Sequence, residues 1–345
     1  MQRRVDATAL DAAAIDAAAR ALAAGELVVF PTETVYGLGA DAAQADAVAA
    51  VYRLKGRPAG HPLIVHVADA AQAAWWADWP PAAQRLADAF WPGPLTLILP
   101  RRPQAPAFAC GDESTVGLRC PSHPVAHALL GAFAALGGHG VAAPSANRFG
   151  RVSPTTAGHV VDDLGDEAPM ILDGGPCEVG VESTIIDLSR GHPVLLRPGG
   201  VTAGRIAAVL GEPVRAPDAQ APRASGTLAA HYAPVTPIEL VEGVALAQRI
   251  ARACKAGERV AVWARPGSWQ ADGSPADLLW EPMPDDPSKT SRTLYATVRR
   301  LDRSGCSRIL VQAPPADERW AAVADRLRRA AAGSALTADT ETDDA

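Results

Sequence analysis

Lys55 and Arg57 stand two residues apart in the turn KGRP (55–58), which Pro58 stiffens. A lysine point charge beside the planar fork of an arginine can clamp a triphosphate. The same pair also suits an ordinary solvated loop. Just after it, His66 closes the apolar run LIVHV (63–67), where a lone histidine serves structure as readily as chemistry. Arg119 ends the run TVGLR (115–119), and a cation on a buried strand needs an anion. A substrate carboxylate and a structural Asp or Glu fit that need equally well.

Around these cations lie segments rich in small hydroxyls. PTETVYGLG (31–39) follows an apolar run directly, offers Thr32 and Thr34, and has Gly37 and Gly39 for close backbone approach. It reads either as a site loop or as a hydrogen-bonded turn. PSAN (144–147) and FGRVSPT (149–155) place Ser145, Asn147 and Ser153 on one Gly- and Pro-shaped stretch, suited to phosphate, ribose or adenine, or to turn and N-cap chemistry. ESTIID (182–187) and LRPG (196–199) add Ser183 and Arg197, which are bland taken singly. SGTLAAHYAP (225–234) puts His231 and Tyr232 into a connector that could fold over a site or dock onto a domain. No phosphate-binding GxxxxGK[ST], kinase set, GxSxG elbow or HExxH helix is present.

The elements that must position these residues follow from periodicity and punctuation. Helices are expected over 8–24, 44–54 and 124–136, and strands over 26–30, 63–67, 95–99, 115–119, 141–143, 171–172, 184–188 and 194–196. Their irregular alternation predicts a mixed α/β sheet rather than a regularly doubly wound one. Residues 213–237, rich in Pro and Ala, read as a linker or lid after a first domain at 1–212. Strands at 238–241, 259–263 and 308–312 then alternate with helices at 244–255, 291–304 and 318–332. That βαβαβα order predicts a small parallel, Rossmann-like domain at 238–333. The acidic residues 334–345 are expected to be disordered.

Bulk composition narrows the function class. The 345 residues suffice for two cores, and 48% hydrophobic with 20% charged residues is a globular composition. The net charge of −6 argues against unspecific nucleic-acid binding. Five cysteines without CxxC spacing suggest neither a disulfide framework nor a zinc site, and point to a reducing, cytoplasmic setting. No signal peptide and no membrane span of ~18 apolar residues is expected.

Taken in order, PTETVYGLGADA, KGRP with HPLIVH, WPGPLT, TVGLRCP, PSANRFGRVSPT, ESTIID, LRPG and GTLAAHYAP resemble the long, two-domain form of the YrdC-like threonylcarbamoyl-AMP synthase family. The resemblance covers roughly residues 12–235, and the C-terminal part is similar to the extra domain of the long form. It implies a YrdC-like twisted mixed sheet and the condensation of L-threonine, bicarbonate and ATP to threonylcarbamoyl-AMP and pyrophosphate. That product would serve tRNA modification at the adenosine next to the anticodon, through separate threonylcarbamoyl-transfer proteins. It implies an L-threonine pocket of Thr32, His66, Arg119 and Ser183, with Arg119 on the carboxylate. It implies ATP contacts from Lys55, Arg57, Thr115, Ser145, Asn147, Ser153 and Arg197, backbone contacts at Ala143, and Tyr232 closing over the nucleotide. Lys55 and Arg57 would be the catalytic cations, with Mg2+ arriving on ATP and no protein side chain assigned to it. Two competing readings are carbamoyl transfer in hydrogenase maturation, whose proteins carry cysteine clusters absent here, and an RNA-binding module.

Overall fold

The structure, a computed structural model, describes residues 4–7, 11–268 and 278–342. The chain divides into two compact units. The first comprises Met1–Phe149 and Ser153–Thr227; the second comprises Gly150–Val152 and Leu228–Ala345. Residues 213–227 therefore group with the first unit and 228–237 with the second.

In the first unit the order is β1 (Arg4–Asp6), α1 (Ala12–Ala23), β2 (Val28–Phe30), β3 (Gly37–Asp41), α2 (Ala45–Lys55), β4 (Ile64–His66), α3 (Ala70–Trp76), α4 (Pro81–Phe90), β5 (Leu95–Pro100) and β6 (Thr115–Arg119). It continues with α5 (Pro124–Ala135), β7 (Val141–Ala142), α6 (Ala157–Leu164), β8 (Met170–Asp173), β9 (Thr184–Asp187), β10 (Val194–Arg197) and α7 (Ala203–Leu210). The strands form one mixed sheet in the order β1-β8-β2-β3-β7-β4-β6-β5-β9-β10.

Side-chain alternation along the strands feeds two cores. Val28 and Phe30 of β2 pack with Ile15, Ala18 and Leu22 of α1 and Leu129 and Phe133 of α5. Val29, between them in sequence, joins the other core with Val48, Val51, Leu86, Val160 and Ile206. The buried face of α1 (Ala14, Ile15, Ala18, Ala19, Leu22) has helical spacing, and Asp11 caps the helix by accepting from the Ala13 N–H at 3.0 Å.

The loop reading of residues 31–39 is corrected at its end. Gly37 to Asp41 form β3, which pairs antiparallel with β2. A Cβ on Gly39 would lie 2.8 Å from the Phe30 ring and 2.9 Å from Val141. The glycine serves sheet packing rather than a ligand.

The second unit contains β11 (Ile238–Val241), α8 (Gly243–Lys255), β12 (Val260–Ala264), β13 (Leu278–Pro282), α9 (Pro287–Asp302), β14 (Arg308–Gln312) and α10 (Ala321–Thr342). Its sheet is wholly parallel in the order β11-β14-β12-β13. β13 is a fourth, edge strand beyond the three that the sequence suggested. Helix α10 runs on past residue 334, where the sequence reading expected order to end; residues 343–345 lie outside the described residues. No helix among the described residues is long and apolar enough to cross a membrane.

Candidate functional site

β4 and β6 pair in parallel with His66 opposite Arg119, so both side chains arrive at the same end of the sheet. The turn after β2 closes against them. There the Thr32 hydroxyl donates to the Val35 carbonyl at 2.7 Å and accepts from the N–H groups of Thr34 and Val35, each at 3.2 Å. The Thr34 hydroxyl lies 2.8 Å away as well. Thr32 is therefore fully engaged in shaping the turn.

That turn presents Glu33, a residue the sequence reading did not single out. Its Oε1 lies 2.8 Å from Arg119 Nη2, and both side chains are only 5% exposed. The pair is close but misaligned: Oε1, Nη2 and the Arg119 Nε take part in no directed hydrogen bond. Glu33 is steered by the Ser122 N–H, which donates to Oε2 at 3.2 Å. Of the two alternatives for the anion that Arg119 needs, the structural carboxylate is present in Glu33.

Burial first, and then the Arg119 charge, hold the His66 imidazole down to about 3, so it is neutral at pH 7. The unfolded chain protonates this group near its ordinary 6.5. Between those values the unfolded state binds more protons, so stability is full above the upper value and falls as pH drops toward the lower one. A His66→Asn variant should lose stability less steeply from pH 6.5 to 4 than the parent, as read from urea midpoints across about five buffers. Parallel slopes would contradict the assignment.

Lys55 is the last residue of α2, and Gly56, at φ +62°, ends the helix in the left-handed region. The side chain turns inward and is 2% exposed. Its ammonium donates to the carbonyls of Ser145 and Asn147, both at 2.5 Å. Neither partner is charged, and no carboxylate among the described residues forms an ion pair with it. Burial, then the neighbouring Arg57, hold its pKa well below the usual lysine range. Arg57 donates to the Pro62 carbonyl at 3.0 Å and sits 5.8 Å from the Phe149 ring centroid. The surface-loop alternative for Lys55 and Arg57 is thus overturned, because residues 145–149 fold over them.

Ser183 immediately precedes β9. Its hydroxyl is 2.8 Å from that of Thr96 on β5 and accepts from Arg197 Nη2 at 3.1 Å. Arg197 also donates to the Ser183 carbonyl, through Nε at 3.1 Å and Nη2 at 3.0 Å, and to the Ser225 carbonyl at 2.8 Å. Ser153 donates to Glu182 at 2.6 Å. Asn147 contributes its carbonyl to Lys55, while its Nδ2 donates to the Arg148 carbonyl at 2.7 Å. Ser145 bridges Gly37 through its backbone, and the Ala143 N–H donates to the Ile64 carbonyl at 3.0 Å.

Thr115, at the opposite end of β6, shares a strand face with Gly117 and Arg119, and the two ends lie roughly 13 Å apart. A cleft lined by Ile98, Thr115, Gly117, Ile185 and Arg223 covers the Thr115 end. Tyr232 belongs to the second unit. It is buried at φ +61°, with its ring 5.7 Å from Tyr295 and 5.4 Å from the Arg326 guanidinium.

Glu33, Thr96 and Glu182 escaped the sequence reading. All three lie inside motifs that were recognised, PTETVYGLGADA, WPGPLT and ESTIID, so membership of those motifs was the available signal. Among the described residues, no three of His, Cys, Asp and Glu are grouped to hold a metal ion.

The Sua5/YciO/YrdC family model, described as "Telomere recombination", matches residues 20–199, and a second, described as "Threonylcarbamoyl-AMP synthase, C-terminal domain", matches 201–332. A Pyrococcus abyssi protein named threonylcarbamoyl-AMP synthase is 39% identical over 318 residues, covering 89% of this chain and 90% of its own. A Bacillus subtilis protein of the same name is 39% identical over 329 residues, covering 90% and 91%. Among solved structures, P. abyssi Sua5 complexed with L-threonine matches with a TM-score of 0.84 at 36% identity, over 97% of this chain and 98% of that one.

Proposed function

This chain belongs to the threonylcarbamoyl-AMP synthase family, and from that premise we propose that it condenses L-threonine, bicarbonate and ATP into threonylcarbamoyl-AMP and pyrophosphate. The observation that carries the reading is Lys55, a buried ammonium that donates to two neutral carbonyls and forms no ion pair among the described residues. A desolvated charge held in that way is stabilised when an anion arrives. Arg57 lies close enough to depress it further, which favours a multiply charged anion such as a triphosphate.

Arg119 supplies the second anion site, for the threonine carboxylate, on the same face of β6 as Thr115. In the proposed reaction the ammonium of threonine loses a proton, and its nitrogen lone pair attacks the carbon of CO2 derived from bicarbonate. The sum of that stage is ammonium plus bicarbonate giving carbamate, water and a proton. A carbamate oxygen then bonds to the α-phosphorus of ATP, and the bond to the pyrophosphate oxygen breaks. Lys55, Arg57 and Arg197 would neutralise charge developing on the phosphates. Ser145, Asn147, Ser153, Thr115 and the Ala143 backbone would orient the nucleotide.

The Mg2+ that accompanies ATP would ride on its phosphate oxygens. The carboxylates near the site, Glu33 and Glu182, face Arg119 and Ser153, so no protein side chain is assigned to the metal. The acyl-adenylate-like product suits hand-over to a transfer protein acting on tRNA in the cytoplasm. Following pyrophosphate release while omitting each reactant in turn tests the reading. Release should require ATP, threonine and bicarbonate together; release that ignores threonine would overturn it.

A further inference from the structure

We propose that Glu33 and Arg119 act as one recognition pair for an amino-acid zwitterion, Arg119 receiving the α-carboxylate and Glu33 the α-ammonium. The inference rests on the synthase reading for the identity of the amino acid, and adds to it a positioning residue.

Its basis is the geometry of the pair. Two opposite charges, each 5% exposed, lie 2.8 Å apart, yet neither of the facing atoms makes a directed hydrogen bond. A purely structural ion pair in a dry site gains its stability from alignment, because the desolvation cost is otherwise not offset. Here Ser122 fixes Oε2 of Glu33, the Glu33 carbonyl accepts from the Val179 N–H at 2.7 Å, and β6 fixes Arg119. The two groups are thus held in contact by separate elements, without the alignment that a hydrogen bond needs. Donors Nε and Nη2 of Arg119 and acceptor Oε1 of Glu33 all remain to be used.

Three titratable neighbours of the pair, His66, Cys120 and Cys177, carry no charge at pH 7: His66 is neutral, and burial pushes the Cys120 thiol up to about 12 and the Cys177 thiol up as well. A carboxylate without an ammonium would meet Arg119 and be repelled by Glu33. A zwitterion would satisfy both. The pair therefore selects α-amino acids over hydroxy acids of the same shape, ahead of any contact with the side chain.

Calorimetric titration of the full chain tests this with L-threonine and with its 2-hydroxy analogue, in which the amine is replaced by a hydroxyl. The parent should bind threonine about 10- to 100-fold more tightly, the effect of one charged hydrogen bond. Glu33→Gln should weaken threonine by a similar factor while the analogue binds as well or better. Equal binding of the two ligands by the parent protein needs no variant and would overturn the proposal while leaving the synthase reading standing. A Glu33→Gln protein that weakens both ligands alike would also overturn it. Parent protein that binds no threonine, alone or with ATP, would instead overturn the synthase reading and this proposal with it.

Discussion

Replacing Lys55 by methionine should lower kcat/KM for ATP by about 100- to 1,000-fold while the protein stays folded. The ammonium forms no ion pair among the described residues, so its burial is a standing cost that an anionic ligand relieves. Methionine fills a similar volume without charge. It gives up two hydrogen bonds to carbonyls, worth about 1 kcal/mol each, and removes the desolvation penalty of the ammonium, so the two changes offset one another. Circular dichroism melting together with steady-state pyrophosphate release separates the outcomes. A folded variant that retains ATP turnover would remove Lys55 from the phosphate site.

Replacing Arg119 by methionine should be worse for the fold and equally severe for the reaction. The change strands Glu33, buried and without its counter-charge, at an expected cost of about 3–5 kcal/mol. Adding Glu33→Gln to the same protein removes the stranded charge and should recover most of that stability. Activity at limiting threonine should remain down by about 100-fold or more in both variants, because the carboxylate site is gone. Urea unfolding of the parent, both single variants and the double variant closes the cycle. A double variant no more stable than Arg119→Met would show that the two charges are not coupled.

The sequence made the strand ends legible and left their partners hidden. His66 and Arg119 close apolar, β-branched runs, so their place at strand ends followed from pattern alone, while the pairing of those two strands did not. That Glu33 would meet Arg119 did not follow, because nothing local marks which carboxylate a distant turn will deliver. The solvated-loop alternative for Lys55 and Arg57 stayed open for the same reason: the segment covering them, 145–149, arrives from β7. β3 was masked by its two glycines, which weaken strand propensity but leave room for the Phe30 ring.

Four helices of the first unit also escaped notice, although three carried capping signals. Asp69 accepts from the Gln72 N–H at 2.7 Å, Thr156 from His159 at 3.2 Å and Thr202 from Arg205 at 3.4 Å. Alanine-rich faces diluted their hydrophobic period. In the second unit, Asp286 followed by Pro287 marked the true start of α9, four residues before the expected one. Strand order was out of reach. β8 inserts between β1 and β2, and β7 between β3 and β4, pairings set by packing between distant segments.

The most direct measurement is the mass of the nucleotide product formed from ATP, threonine and heavy-carbon bicarbonate. The account predicts an adenylate carrying threonine and one carbon from bicarbonate, heavier by one dalton than the product from ordinary bicarbonate. An adenylate of threonine without that carbon, or nucleotide hydrolysis with no adduct, would contradict it.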